Sequence, residues 1–388
     1  MRMSKAGYLR PEQAEELSVE EEQMIASTCP GIVLVQDSQE GADHPIWGPL
    51  VAVRTGSATD APLRHHASSG GVLSALLLYL VESEVVDSVV HIAASDVSPI
   101  ENAIVESANR AGVFAAAGSR YAPSAPLAAL RAQLAQPGRF ALVAKPCDVA
   151  AVRALSRHDR RVEEKIPIIL SFFCGGIPSV HGARQILSRL DVREQEVASF
   201  RYRGDGWPGF ATARLKDGRD ARMSYAESWG GILSNHVQFR CKICPDGTGG
   251  FADIACGDAW YADDNGYPLF DEAEGRSLIV SRTGRGEDLV RRAVEAGYIA
   301  AENLDVAEIL KMQPSQARRK QLVLSRLCAM ALMGRVMPRF VGLRLCKAAW
   351  SASVWQNLRS FLGMARRLLL GRNASATVFG SNRNSMKV

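Results

Sequence analysis

From His66 onward, apolar and polar positions alternate between strand-like and helix-like stretches. Ser68-Ser69-Gly70-Gly71 opens an apolar run that predicts a helix to about Glu82, and Val85 to Ala93 then reads as a buried strand. Phe140 to Ala144 is strand-like and ends in Lys145-Pro146-Cys147, after which Val149 to Ser156 turns helical. The next unit repeats that order, with Ile166 to Phe173 as a strand, Cys174-Gly175-Gly176 as a turn and Ser179 to Leu190 as a helix. Both cysteines therefore fall just beyond strand ends, where loops of an open α/β sheet converge on ligands. Ser199 to Tyr202, Phe210 to Leu215 and Arg219 to Met223 are short, with Lys216-Asp217-Gly218 between the last two, and predict an inserted hairpin or β-meander. Arg276 to Arg282 returns as a strand, and helical patterns dominate from Gly286 to the end. The expected fold is mixed α/β: an α/β core, an inserted β-meander and a basic helical C-terminal tail.

Composition narrows the setting. The chain has 388 residues, 47% of them hydrophobic, enough to bury a real core. Met1 to Gln23 is rich in Glu and lacks an apolar segment, so no secretory signal is read there. The longest mostly apolar run, Val72 to Val81, is well short of the roughly 20 residues of a membrane span and reads as a buried helix. The expected compartment is the cytoplasm, or a site peripheral to the inner face of the membrane.

Charge is unevenly spread. From Ile309 to Val388 there are 15 Lys plus Arg and no Asp or Glu, which leaves 31 basic against 41 acidic residues before it. Val354, Trp355, Leu358, Phe361, Leu362, Ala365, Leu368 and Leu369 recur there at helical spacing among Arg359, Arg366, Arg367 and Arg372. A basic amphipathic helix of this kind fits an anionic membrane, an acidic partner, or a core-packed helix with a basic outer face. Nucleic acid is disfavoured, because no aromatic-basic stacking platform accompanies the charge.

Eight cysteines are too few for a disulfide scaffold, so their chemistry must be read from position. Cys241 and Cys244 form a Cys-x-x-Cys, flanked by Arg240 and Lys242, whose charge would offset an iron-thiolate cluster. Cys147 and Cys174 bring the count to the four thiolates a [4Fe-4S] cube takes. Structural zinc accepts the same four, although zinc sites usually pair two close couples rather than single residues on separate loops. Cys256, Cys328 and Cys346 read as small buried hydrophobes.

The same residues carry a resemblance. Ser68-Ser69-Gly70-Gly71-Val72, Gly118-Ser119-Arg120-Tyr121, Lys145-Pro146-Cys147-Asp148, Phe173-Cys174-Gly175-Gly176, Tyr202 to Gly209, Arg240 to Asp246 and Ala252-Asp253-Ile254 before Gly257-Asp258-Ala259-Trp260 resemble the beta subunit family of coenzyme F420 hydrogenase and dehydrogenase. The likeness runs from about residue 25 to 330. It implies a [4Fe-4S] cluster on Cys147, Cys174, Cys241 and Cys244 and a nearby FAD, with hydride exchanged with a deazaflavin or another organic substrate and an electron-donor protein as partner. It divides the chain into a lead-in (1–60), an N-terminal α/β domain (61–155), a C-terminal domain with cluster ligands (156–330) and the basic tail (331–388). Of the N-terminal ferredoxin module that some members carry, only Cys29-Pro30-Gly31 looks like the end, so Cys29 is expected to be a relic or a plain surface thiol rather than a ligand. Bacterial relatives with the Gly204-Asp205-Gly206-Trp207-Pro208-Gly209 stretch resemble proteins of surface polysaccharide synthesis.

Flavin contacts are drawn from the same motifs. Ser68, Ser69, Gly70 and Gly71 suit a phosphate at a helix N-terminus, or an ordinary N-cap. Lys145 could face a reduced flavin or a phosphate, or be solvated. Tyr121, Asp258 and Trp260 complete the cofactor-binding set; Trp207 and Trp260 fit either an isoalloxazine or the core. His65 and His66 stand as weak proton-donor candidates. A flavin carries its own redox chemistry, so no catalytic side chain is assigned.

Overall fold

The computed structural model describes residues 1–37, 41–261, 269 and 272–370. Its centre is an eight-stranded mixed sheet. In chain order the strands are β1 (Ala52–Ala58), β2 (Ser88–Ala94), β3 (Asn102–Ser107), β4 (Phe140–Val143), β5 (Ile169–Phe172), then β6 (Val197–Arg201), β7 (Phe210–Leu215) and β8 (Asp220–Ser224) of the separate meander, and finally β9 (Ile254–Asp258), β10 (Ser277–Ser281) and β11 (Ile299–Asn303). The sheet order is β11-β1-β10-β9-β5-β4-β2-β3. β2, β4, β5 and β9 are mutually parallel, and antiparallel pairings complete both flanks.

The parallel strands are buried on both faces, which is why their sequences are near-continuous apolar runs. Along β4 the side chains alternate: Ala141 and Val143 join one core cluster, Phe140 and Leu142 the other. The first cluster is closed by helix α1 (Val72–Glu82), which buries Val72 and Ala75 to Leu80. The second is closed by helix α2 (Pro146–Leu155) through Val149, Ala150 and Val152. The meander packs on helix α3 (Val180–Arg189) in a third cluster.

Three helices after the sheet, α4 (Pro314–Gln321), α5 (Val323–Leu332) and α6 (Val354–Leu369), fold back toward the cysteine region. Ile243, between Cys241 and Cys244, is buried with Val323, Leu327 and Met330 of α5 and Met364 and Leu368 of α6. No helix among the described residues is long and apolar enough to cross a membrane.

Several expectations need correction. The stretch read as an irregular lead-in holds a helix, Val19–Thr28, and strand β1 in the main sheet. β3 and β11 were not foreseen from the pattern, because edge strands with one covered face carry few apolar residues, as Ile299-Ala-Ala-Glu-Asn303 does. Cys147 is inside the first turn of α2 rather than in a loop, since Pro146 starts the helix at N1. Cys328 and Cys346 are exposed, not core residues, because the buried faces of their helices are filled by neighbours such as Leu327, Ala329 and Ala348. The amphipathic helix expected in the tail is α6; Arg372 lies outside the described residues.

Candidate functional site

Chain paths bring Cys147, Cys174, Cys241 and Cys244 together from three stretches. Cys147 follows β4, and Cys174 follows β5 with its N–H bonded to the Gly247 carbonyl at 2.7 Å. Cys241 sits in the short helix Phe239–Lys242, and Cys244 just beyond it. The N–H of Gly176 points at Cys174 Sγ and that of Ile177 at Cys241 Sγ, both at 3.4 Å, a contact that favours thiolate. Gly176 has φ +108, and a Cβ there would meet Val237 Cγ1 at 2.6 Å and Cys241 Cβ at 3.2 Å, so the two cysteine loops approach as closely as they do only around a glycine.

The cysteines feel one another. Burial pushes the Cys174 thiol up to about 12 and Cys244 to about 11, and raises Cys147 well above its usual value; the charges of the neighbouring cysteines add to each rise. At neutral pH these three are thiols, and metal binding would release their protons. Arg319 opposes the trend: Nη1 donates to the Cys174 carbonyl at 3.1 Å and Nη2 to the Cys241 carbonyl at 2.9 Å, tying the two loops. Gln316 Nε2 adds a third bond, to the Cys174 carbonyl at 3.1 Å. Among the described residues no three Cys, His, Asp or Glu side chains converge as ligands of a single metal ion do. A cube binds each thiolate through a different iron, and so asks for a wider spacing of its four ligands than a single ion does.

Beside the cysteines, a cavity of about 240 Å³ opens at the carboxyl ends of the parallel strands. Ser68, Ser69, Gly71, Tyr121, Lys145 and Asp258 line it, with Cys174 at one side. Gly71, whose φ of +75 is left-handed, is the N-cap of helix α1 and no side chain caps the helix; Gly71, Val72, Leu73 and Ser74 at its start all line the cavity. That arrangement leaves N–H donors and the positive end of the helix for an anion.

Not every predicted contact is free to bind. Ser68 Oγ donates to the Arg203 carbonyl at 3.0 Å and accepts from the Ser119 N–H; Ser69 Oγ donates to the Arg276 carbonyl at 2.9 Å. These hydroxyls hold loops together at the cavity rim. Gly70 does not line the cavity: a Cβ there would meet Ser277 N at 2.6 Å and Gly56 O at 2.7 Å, so it serves close packing on β1 and β10. Lys145 is buried, with Nζ 2.5 Å from Asp148 and 3.0 Å from both oxygens of Ser124. Burial works against its charge, but Asp148 and the nearby thiols outweigh burial and raise its pKa. It is a fixed, already paired cation. His66 stacks on Phe114 and bonds Asp205 at 2.9 Å; neither it nor His65 lines the cavity. Trp207 is buried against Trp260, ring centroids 4.9 Å apart.

The sequence reading missed Arg203. It is 2% exposed, pairs with Asp258 at 2.8 Å, donates from Nε to the Pro208 carbonyl at 2.8 Å and leaves Nη2 without a partner. Its guanidinium lies over Tyr225 and Trp260, at 4.7 and 4.9 Å from the ring centroids. Only its place in the Tyr202 to Gly209 motif hinted at a role. A second, larger cleft of about 700 Å³ shares Tyr121, Phe173, Gly175 and Asp258 with the cavity and reaches Cys241, Trp229, Trp260, Arg319, Arg326 and Arg367.

Two family models match this chain: the N-terminal part of the coenzyme F420 hydrogenase/dehydrogenase beta subunit over residues 53–131, and its C-terminal part over residues 138–307. The chain belongs to that family. It is 25% identical over 287 residues to coenzyme F420 hydrogenase subunit beta of Methanococcus voltae, covering 69% of this chain and 92% of that one. The corresponding subunit of Methanothermobacter thermautotrophicus is 22% identical over 307 residues, covering 76% and 99%. A solved structure of the F420-reducing [NiFe] hydrogenase complex from Methanosarcina barkeri contains a chain with the same fold, at TM-score 0.58 and 20% identity, covering 75% of this chain and 96% of that one. The family's matched region contains all four cysteines and both cavity-forming strand ends, and stops before α4, α5 and α6.

Proposed function

We propose that this chain is an iron-sulfur flavoprotein oxidoreductase, with a [4Fe-4S] cluster on Cys147, Cys174, Cys241 and Cys244 and FAD seated in the adjoining cavity. The observation that carries the reading is that four cysteines from three separate stretches act on one another's charge, and that one of them, Cys174, lines a cavity entered by an uncapped helix N-terminus. Bound there, the two groups would supply one-electron transfer and hydride exchange, so that a deazaflavin or another organic acceptor is reduced.

The protein's own residues hold and insulate. The amides at the start of α1 receive a flavin phosphate, Tyr121 and Phe173 supply apolar wall, and the spare Nη2–H of Arg203 points to an acceptor on the bound group. Arg319 keeps the Cys174 and Cys241 loops in register, while Lys145 and Lys242 lower the cost of gathering thiolates. Relatives named as hydrogenase subunits support a role as one member of an electron-transfer assembly. Trp350, Val354, Trp355, Leu362 and Leu369 are more than half exposed beside basic side chains of α6, which supports contact with a membrane surface or partner.

The test is anaerobic purification followed by iron, sulfide and flavin analysis. A brown protein that releases FAD on denaturation supports the reading; a colourless one with stoichiometric zinc refutes it.

A further inference from the structure

Helix α6 is more apolar than its packing requires. Phe361, Met364, Ala365 and Leu368 form one sector, which packs with Ile243 and α5. Val354, Trp355, Leu358, Leu362 and Leu369 form a second sector beside it, about 100° wide at 3.6 residues per turn, and all five are exposed. One apolar stripe seats a surface helix on its core, so the second has no use among the described residues.

The border of that stripe is basic. Arg359 and Arg366, two turns apart, are exposed along its outer edge, on the side away from the buried sector. Just before α6, the short helix Leu345–Trp350 carries Lys347 and Trp350 one turn apart, and Trp350 is 89% exposed. Asn357 Nδ2 donates to the Ala349 carbonyl at 3.0 Å, and Ser353 and Gln356 form a capping box, so the start of α6 is fixed against that helix. Lys347, Arg359 and Arg366 form no ion pair among the described residues, and the chain has no Asp or Glu after Glu308.

Resting on the surface contact of the proposed function and naming its partner, we infer that α6 lies flat on an anionic lipid bilayer. Val354, Trp355, Leu358, Leu362 and Leu369 enter the boundary between headgroups and acyl chains, and Lys347, Arg359 and Arg366 meet lipid phosphates.

An apolar face edged by arginines is the geometry of a helix in the plane of a membrane interface, and α6 is neither long nor apolar enough to cross one. Trp350 and Trp355 suit that depth, because an indole pairs an apolar body with an N–H that stays in reach of headgroups. Charge decides between lipid and protein. A border of cations with no carboxylate matches a continuous layer of phosphates, each cation near it adding to the attraction, whereas a protein face presents both signs. Arg367 lines the outer cleft from the opposite side of α6, so a bilayer on the stripe leaves the cleft open.

The experiment is co-sedimentation of the purified full chain, its metal and flavin analysed, with vesicles of phosphatidylcholine alone or mixed with phosphatidylglycerol. Wild type should pellet with the anionic vesicles, far less with the neutral ones, and more weakly as salt rises; its tryptophan emission should shift to the blue on binding. Leu362→Ser, exposed and outside every core cluster, should weaken binding about tenfold, the size of one lost apolar insertion. Arg359→Gln together with Arg366→Gln should weaken it about thirtyfold. Val97→Ser, fully as exposed but between β2 and β3, should leave it unchanged. No pelleting with anionic vesicles, equal pelleting with both kinds, or undiminished binding by Leu362→Ser overturns the proposal, and normal iron and flavin in that protein spare the redox reading. A dimer in solution that Leu362→Ser dissociates gives the stripe to a second copy and overturns the proposal too. Vesicle binding by a colourless, zinc-loaded protein supports the membrane contact and removes the redox reading.

Discussion

The inner cavity and the outer cleft adjoin, yet they treat charge in opposite ways. In the cavity Arg203 holds Asp258 and Lys145 holds Asp148, while Arg120 spends its guanidinium on Asn102 Oδ1 and the carbonyls of Pro99, Glu101 and Phe200. In the cleft, Arg326 and Arg367 pair with no carboxylate among the described residues. The cavity is formed by strand ends and turns of the family's matched region, whereas three of the cleft's four cations, Arg319, Arg326 and Arg367, come from α4, α5 and α6 beyond it. The cavity therefore offers a ligand shape, backbone amides and one spare guanidinium N–H, whereas the cleft offers charge. The cysteines are the seam: Cys174 lines one space and Cys241 the other.

Cutting the seam should have the largest effect. Cys147→Ser or Cys241→Ser should leave the purified protein without acid-labile sulfide and with little iron, whereas Cys328→Ser, exposed on α5, should match wild type in both. Equal iron in all three would dissolve the seam.

Unpairing the cavity comes next. Asp258→Asn leaves the Arg203 guanidinium buried without its counter-charge, and should lower the unfolding free energy in guanidinium titrations by about 3–5 kcal/mol. Arg367→Gln in the cleft should change stability by less than about 0.5 kcal/mol, since it breaks no contact. Equal losses would erase the contrast between the two spaces.

His91 lines the cavity, bonded to Ser107 Oγ at 2.8 Å, and burial drives its pKa down to about 4 from 6.5. Between those values the unfolded chain takes up a proton that the folded one refuses. Stability is thus complete above pH 6.5 and falls as the pH is lowered toward about 4, by at most about 3 kcal/mol from this residue. His91→Gln should flatten that part of the pH profile; a profile as steep as wild type would place the acid sensitivity elsewhere.

Two glycines make the smallest and sharpest contrast. Gly70→Ala puts a Cβ 2.6 Å from Ser277 N and should cost about 1–3 kcal/mol by thermal denaturation. Gly230→Ala, on the cleft wall with nothing within 4 Å of the new Cβ, should be neutral within about 0.5 kcal/mol.

Much of the inner half was legible because its signals are local. Apolar runs marked β4, β5 and β10, Lys216-Asp217-Gly218 marked the turn of the meander, and Cys-x-x-Cys announced itself. What escaped was set by pairing across the chain. β1 pairs with β10 more than 200 residues on, and β11 has little apolar character of its own. Arg203 looked like one more charged residue until burial beside Asp258, Tyr225 and Trp260 gave it a site. The basic tail was visible as composition, but no periodicity says that α5 and α6 close over Ile243 and carry Arg326 and Arg367 to the cysteines. Lys145 shows the reverse error: a cation two residues before a cysteine invites a ligand role, and the fold gives that charge to Asp148.

The central claim is that four cysteines from three stretches share one iron-sulfur cube beside a flavin. Metal and sulfide analysis of anaerobically purified protein tests it most directly. The account predicts about four irons and four sulfides per chain, with FAD released on denaturation. One zinc per chain with neither sulfide nor flavin would contradict it.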